Sequence, residues 1–182
     1  MRETPRLESA RLVLRALSPD DADALHPTFA DEALMTWWSS AAQKDVDETR
    51  AYLAQEGRPN ATQWRGWAIV VRGEGDAAVG FVSTGERRTG VSEIGYMLAR
   101  SHWGRGIAAE AVGRVIEHLF DVEGHRRIFA DTDPDNLGSR RLLEKLGFQQ
   151  EGVLRGEWET HIGVRDSVIY GLLKDEWAAR RR

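Results

Sequence analysis

The 182-residue sequence contains no cysteine, which excludes disulfide bonds, thiol nucleophiles and cysteine-ligated metals. Its five histidines show neither the H-x-x-x-H nor the H-E-x-x-H spacing, so we expect no metal site. No apolar run approaches the roughly 20 residues that a membrane span needs, and the first residues lack the apolar core of a signal peptide. The formal charge of −4 argues against a general nucleic-acid binder. We therefore expect a cytoplasmic protein without direct nucleic-acid or membrane partners.

Hydrophobic periodicity predicts a mixed α/β fold (α+β mixed) within one domain, residues 1–182. The 41% apolar and 30% charged residues suit a soluble globular chain. The predicted strands cover residues 11–17, 66–72, 77–86, 92–99 and 125–131, with two more within 148–173, and the predicted helices cover 18–29, 31–37, 45–55, 107–122 and 136–146. This order indicates one mostly antiparallel, twisted sheet of about seven strands flanked by helices, with a parallel crossover through helix 107–122.

The stretch from Trp103 to Ala108 places two glycines at the mouth of a predicted helix. Backbone N–H groups at a helix N-terminus have no partner within the helix, and the helix dipole adds partial positive charge there. Such a turn can bind a phosphate or pyrophosphate. An ordinary strand-to-helix turn without a ligand has the same sequence pattern and is the alternative. A Walker A loop is excluded because no lysine follows Gly106. A Rossmann site is disfavoured because the preceding strand belongs to an antiparallel meander.

A second stretch, Asn136 to Phe148, opens a downstream helix and closes it with Gly-Phe. Together the two stretches resemble the GNAT superfamily of acyl-CoA-dependent N-acetyltransferases, whose pattern is Q/R-x-x-G-x-G/A, then N-x-x-S/A and a helix ending in E-K-x-G-F. Trp103 stands where many members carry glutamine or arginine. With the following Ala109-Glu110-Ala111 it resembles the RimJ/RimL-like (ribosomal-protein N-terminal acetyltransferase-like) branch. Further matches to this branch lie at residues 7–15, 93–96, 151–155 and 166–173.

The resemblance implies that acetyl-CoA is the co-substrate and that no metal is required. It implies a GNAT-like domain in which strand 92–99 splays from strand 125–131 at the cofactor site. The pantetheine arm could then pair with exposed backbone groups, and a backbone N–H could polarise the thioester carbonyl. Asn136 would contact the cofactor arm, cap its helix, or do both. The implied cofactor-binding residues are Met97, Leu98, Ala99, Trp103, Gly104, Arg105, Gly106, Ile107, Ala108, Asn136 and Ser139.

The acceptor amine must lose a proton before it attacks, and a carboxylate can accept that proton directly or through a water. Glu93 is the first candidate, because family members often place a working glutamate on that strand; a solvent-facing strand residue is the alternative. Glu157 and Glu159 are the other candidates. They flank Trp158, which stands where some relatives of this branch carry the catalytic glutamate, and exposed charge near a strand end is their alternative role.

Ser139 is the candidate contact to the CoA sulfur, as in RimL-like members, because Leu143 replaces the tyrosine that many family members use on that helix. A polar residue in the first helical turn is the alternative. Trp37 and Trp38 lie in the region where family members shape the acceptor pocket, so we expect them to bind substrate. Most tryptophans, however, serve core packing.

The leading hypothesis is an acetyl-CoA-dependent N-acetyltransferase in which a primary amine attacks the thioester directly. The amine acceptor is a protein N-terminus or a small molecule, and the branch does not decide between them because one fold hosts many acceptors. A CoA-binding sensor or interaction module of the same fold is the first alternative, and a different phosphate-ligand enzyme is the second. The resemblance to the family is the sole reason to expect a homodimer.

Overall fold

Eight strands form one open sheet, which α-helices flank. The computed structural model describes residues 3–54 and 64–181. The strands are β1 (Leu7–Glu8), β2 (Leu12–Ala16), β3 (Trp64–Val71), β4 (Gly80–Arg88), β5 (Val91–Leu98), β6 (Arg127–Thr132), β7 (Gln149–Thr160) and β8 (Gly163–Leu173). The helices are α1 (Ala22–Phe29), α2 (Glu32–Met35), α3 (Val46–Ala54), α4 (Ile107–Glu117), α5 (Leu137–Leu146) and α6 (Lys174–Arg180).

The sheet order is β1-β2-β3-β4-β5-β6-β8-β7. All neighbouring strands are antiparallel except β5 and β6, which are parallel and are joined through α4. A parallel pair needs such a crossover connection, so the mixed fold and the crossover predicted from the sequence are confirmed. The sheet has one strand more than predicted, because β1 is only two residues long and cannot show alternation.

The predicted helices are present with small shifts at their ends. The helix predicted over 107–122 consists of α4 followed by a wider π-type turn at His118–Val122. The helix predicted over 45–55 corresponds to α3, and its last residue, Gln55, lies outside the described residues. In the part of the chain that the structure describes, no helix is long and apolar enough to cross a membrane.

Each face of the sheet carries its own apolar core. Ile94 and Leu98 of β5 pack on the face that α4 and α5 cover. Met97 of the same strand packs with Phe81 on the face that α1, α2 and α3 cover. Side chains alternate between the two faces along a strand, so β5 contributes to both cores. The two cores therefore fix the C-terminal end of β5, which lies next to the turn that leads into α4.

Candidate active site

β5 and β6 separate after three paired positions, which opens a gap in the sheet. Their parallel pairing joins Val91–Glu93 to Arg127–Phe129. Beyond Glu93, β5 stays paired with β4 as far as Leu98, and β6 stays paired with β8 as far as Thr132. Each strand is thus held by its outer neighbour, while its inner edge has no strand partner. The predicted splay of these two strands is confirmed.

The inner edge of β5 presents the backbone groups of Tyr96 and Leu98 to the gap. The N–H of Ala99 donates to the Val79 carbonyl at 2.8 Å, on the side of β4. Backbone groups alternate between the two edges of a strand, so those of Met97 also face β4. Of residues 97–99, near which we expect the pantetheine arm to pair, Leu98 therefore faces the gap. The backbone groups of Met97 and the N–H of Ala99 face β4, whereas the Ala99 carbonyl accepts from the His102 N–H at 2.9 Å.

Two left-handed glycines form the turn between β5 and α4. Gly104 has a φ of 73° and Gly106 a φ of 76°, a conformation that glycine adopts without strain. The N–H of Glu110 makes the first hydrogen bond of α4, to the Gly106 carbonyl at 3.1 Å. No residue of the described ranges accepts a hydrogen bond from the N–H groups of 104–109. These amides are therefore open to an anionic ligand at the positive end of α4.

Side-chain contacts hold this turn in place. The indole N–H of Trp103 donates to the Leu98 carbonyl at 2.8 Å, and the Arg100 guanidinium carbon lies 5.0 Å from the centre of the indole. In the first turn of α4, the Glu110 carboxylate accepts a hydrogen bond from the Arg11 Nε at 2.7 Å. Trp103 thus anchors the turn to the end of β5, which gives a structural reason for a tryptophan at this position.

Arg141 and Lys145 line the cavity beside the turn, and neither has a carboxylate partner within residues 3–54 and 64–181. They lie four residues apart on α5, so they project from one face of the helix. The other arginines near the turn are paired, Arg11 with Glu110, Arg100 with Asp31 and Arg105 with Glu74. Sequence reasoning missed Arg141 and Lys145, although their spacing was visible. Their charges are available to an anionic ligand.

A pair of hydroxyl groups lies where α5 begins. The Asn136 Oδ1 accepts a hydrogen bond from the Ser139 N–H at 3.1 Å, so Asn136 caps the helix. The Tyr96 hydroxyl lies 2.7 Å from the Ser139 Oγ. Burial raises the pKa of Tyr96 above its ordinary value, so this hydroxyl stays protonated in the neutral range. Sequence reasoning missed Tyr96, because only the tertiary structure brings β5 and α5 together.

Glu93 lies where β5 and β6 part, and its side chain lines the cavity. Its carboxylate accepts a hydrogen bond from the Arg87 Nε at 2.7 Å, and its side chain is only 20% exposed. Burial raises the pKa of Glu93 above its ordinary value, against the opposing effect of the Arg87 guanidinium. A carboxylate with a raised pKa is the better proton acceptor near neutral pH, so Glu93 is suited to general-base chemistry.

Glu157 and Glu159 do not line this cavity. Both are exposed on β7, whereas Trp158 and Thr160 of the same strand line the cavity. Side chains alternate between the faces of a strand, so residues 157 and 159 face away from the cavity that residues 158 and 160 line. The structure thus places Glu93 in the wall of the cavity and Glu159 outside it, and a catalytic role for Glu159 stays a prediction.

Trp37 and Trp38 both line the cavity from the segment that follows α2. The Trp38 indole N–H donates to the Tyr52 hydroxyl at 3.0 Å, and its ring stands edge-on to Phe81. Trp37 is 38% exposed, so much of its ring is free to contact a bound molecule. The two residues therefore combine a packing role with an aromatic surface at the site.

One cavity of about 1120 Å³ joins these groups. Its walls include the glycine turn, the inner edges of β5 and β6, the start of α5 and the segment after α2. Within the described residues, no group of three or more histidine, aspartate or glutamate side chains could hold a metal ion. Of the predicted cofactor-binding residues, Ala99 and Arg105 do not line the cavity, and the others do: Met97, Leu98, Trp103, Gly104, Gly106, Ile107, Ala108, Asn136 and Ser139.

Comparison with known proteins finds relatives along most of the chain. The family model of the acetyltransferase (GNAT) domain matches residues 11–149. The uncharacterized N-acetyltransferase p20 of Bacillus licheniformis is 33% identical over 180 residues, which cover 94% of this chain and 98% of that protein. The uncharacterized N-acetyltransferase YoaA of Bacillus subtilis (strain 168) is 31% identical over 178 residues, with coverages of 93% and 97%.

A solved structure shares the architecture of the whole chain. The spermidine N-acetyltransferase from Vibrio cholerae, in complex with CoA and spermine, superposes with a TM-score of 0.77 over 93% of this chain and 99% of that one. The sequence identity is 21%, so this likeness shows a common fold and nothing about the acceptor of this chain.

Proposed function

Because this chain belongs to the GNAT family of acetyltransferases, we propose that it transfers the acetyl group of acetyl-CoA directly to a primary amine. The acceptor is the α-amine of a protein N-terminus or the amine of a small molecule. The observation that carries the proposal is the shared cavity, in which an open anion-binding turn, two separated strand edges and the half-buried carboxylate of Glu93 meet.

The residues of the cavity fit the chemical parts of acetyl-CoA. The open amides of Gly104 to Ala108 suit its pyrophosphate. The backbone groups of Tyr96 and the N–H of Leu98 suit the amides of the pantetheine arm, which would lie along β5 as a further strand does. An N–H on this edge would polarise the thioester carbonyl and stabilise the oxyanion. Asn136 and Ser139 close the gap from the side of α5.

Arg141 and Lys145 would bind the ribose phosphate of CoA, the remaining anionic group of the donor. We expect replacement of both by glutamine to weaken CoA binding about tenfold, or about 1.4 kcal/mol. Binding of dephospho-CoA, which lacks that phosphate, is expected to stay within about twofold. Calorimetric titration of both ligands measures this. The matched control replaces Arg155 and Lys174, two exposed cations outside the cavity. Equal losses for both ligands would contradict the assignment.

Glu93 would take up the proton that the acceptor amine must lose, directly or through a water. A lysine-like amine has a pKa of about 10.4 and an α-amine one of about 7.7–8.0, so the base matters most for the former. Arg87 holds the Glu93 carboxylate in place at the mouth of the gap. The chain has no cysteine, so the amine itself attacks the thioester carbonyl and no cysteine-bound acyl group is formed.

Ser139 would assist the departure of the CoA sulfur. When the Tyr96 hydroxyl donates to the Ser139 Oγ, the hydroxyl proton of Ser139 remains free to hydrogen-bond the sulfur. An alkyl thiol is mostly protonated near neutral pH, so a hydrogen-bond donor at this position stabilises the thiolate as it departs. The raised pKa of Tyr96 keeps it a donor during this step.

A panel of amines tests the proposal through thiol release from acetyl-CoA. The panel contains short peptides with free N-termini and small alkylamines, and mass spectrometry identifies the acetylated product. Thiol release that depends on the amine supports the enzyme. Binding of CoA without turnover on any amine would instead favour the sensor or interaction module, and failure to bind CoA would contradict both.

We also propose membership of the RimJ/RimL-like branch, a cytoplasmic location and a homodimeric assembly. The branch is supported by the tryptophan-led turn at Trp103 and by the alanines and glutamate that follow it. Trp103 anchors the turn through the Leu98 carbonyl. The tryptophan that is typical of the branch therefore supports the donor site and does not indicate which amine is the acceptor.

A further inference from the structure

Asp131 lies on β6, two residues beyond the last pair that joins β6 to β5. Its side chain lines the same cavity as Glu93. The two carboxylates are close enough for Asp131 to contribute to the raised pKa of Glu93, although burial is the main cause. Asp131 is therefore a charged group at the edge of the reaction centre, and the chemistry proposed above gives it no role.

The charge of Asp131 has no cationic partner within residues 3–54 and 64–181. Two arginines that line the same cavity are already paired, Arg87 with Glu93 and Arg165 with Asp133 and Asp135. The contact made by the Asp131 carboxylate is with Trp158, whose indole N–H donates to its Oδ2 at 2.8 Å. The indole N–H is a neutral donor, so this contact does not pair the carboxylate with a cation.

Trp158 adds an aromatic surface next to this carboxylate. It lines the cavity and is 43% exposed. An ammonium group over an indole face is attracted by the ring quadrupole, and a carboxylate beside the indole adds a charge-assisted hydrogen bond. The carboxylate of Asp131 and the exposed indole of Trp158 together match an alkylammonium group.

We propose that Asp131 and Trp158 bind a second positively charged group of the acceptor, so that the preferred acceptors are primary amines carrying another ammonium group. This inference rests on the proposed acetyl transfer at Glu93. Two residues of a strand span about 6.6 Å and neighbouring strands lie about 4.8 Å apart, so the Cα atoms of Glu93 and Asp131 are about 8 Å apart or more. A short aliphatic diamine can therefore place one nitrogen at each carboxylate.

Matched pairs of amines test the inference, diaminobutane against butylamine and diaminohexane against hexylamine. The wild type is expected to show a kcat/KM at least about tenfold higher for each diamine, equivalent to about 1.4 kcal/mol. In Asp131→Asn the kcat/KM advantage of each diamine over its monoamine disappears, chiefly through a higher KM for the diamine. Asparagine keeps an acceptor for the Trp158 indole, so the change removes charge and little else.

Asp135→Asn is the control, because it removes the same charge from the neighbouring loop and leaves Arg165 paired with Asp133. It should preserve the diamine preference. A wild-type ratio near one, an unchanged ratio in Asp131→Asn, or turnover of peptide N-termini with none of either diamine would overturn the inference while leaving acetyl transfer standing. Failure of the protein to bind CoA would instead contradict the proposed function itself.

Discussion

Gly104→Asp is expected to weaken CoA binding at least about 100-fold, because it places a carboxylate where the open amides face the pyrophosphate. Two like charges about 4 Å apart repel by about 4 kcal/mol near a protein surface, which exceeds the 100-fold loss. Gly104 has a φ of 73° and no atom within 4 Å of an added Cβ. The new side chain therefore fits sterically, and its cost to stability is that of a left-handed aspartate.

Gly124→Asp provides a matched control for this substitution. Gly124 also has a φ of 73° and no atom within 4 Å of an added Cβ, and it lies outside the cavity. Both variants should lose similar stability on thermal unfolding, but only Gly104→Asp should lose CoA affinity in a calorimetric titration. Equal CoA affinity in the two variants would show that the turn does not hold the donor.

Glu93→Gln is expected to lower kcat by about 100-fold to 10,000-fold, the usual contribution of a positioned general base. Glu93 accepts a proton only when ionised, and burial raises its pKa. The wild-type rate should therefore rise with pH through that raised pKa, and the variant should lack this limb of the pH–rate profile. The measurement is kcat against pH with one acceptor at saturating acetyl-CoA.

The stability of Glu93→Gln separates loss of the base from loss of the fold. A carboxyl whose folded-state pKa is raised favours its protonated form, so its ionisation at neutral pH costs stability. The glutamine variant should thus be more stable than the wild type at neutral pH, and the difference should vanish below the ordinary pKa of about 4.3. Glu159→Gln, outside the cavity, should leave kcat within about twofold. A large loss there with full activity in Glu93→Gln would reverse the assignment.

Local sequence signals located the donor half of the site. The glycines of the turn and the cap at Asn136 act within a few residues of their own position, and the structure contains both features where they were predicted. The left-handed conformation of Gly104 and Gly106 is a requirement that the residue type itself reveals. Neighbouring residues determine short-range geometry of this kind, so the local sequence pattern is sufficient to predict the turn and the helix cap.

Features that depend on strand register were not predictable in the same way. Whether Trp158 or Glu159 faces the cavity is decided by the pairing of β7 with β8, which contains register shifts. A slip of one residue exchanges the two faces, so the sequence alone could not decide which of residues 157–159 lines the cavity. The contact of Tyr96 with Ser139 joins residues 43 positions apart and arises only when β5 and α5 meet.

The division between the two halves of the cavity has a physical basis. The donor half is built from backbone amides, whose chemistry is the same in every chain that forms such a turn. The proposed acceptor half consists of side chains on several elements, including Trp37, Glu93, Asp131 and Trp158, all of which line the cavity. Membership of the family therefore fixes the donor more firmly than the acceptor, and the acceptor must be argued from these side chains.

The most direct test of the account is a titration of the ¹⁵N-labelled protein with CoA, followed residue by residue through its backbone amide signals. The expected result is that the largest shifts fall on the amides of 104–108 and on Leu98, while Gly124 does not move. Shifts confined to residues outside the cavity, or no shifts at millimolar CoA, would contradict the assignment of this turn as the donor site.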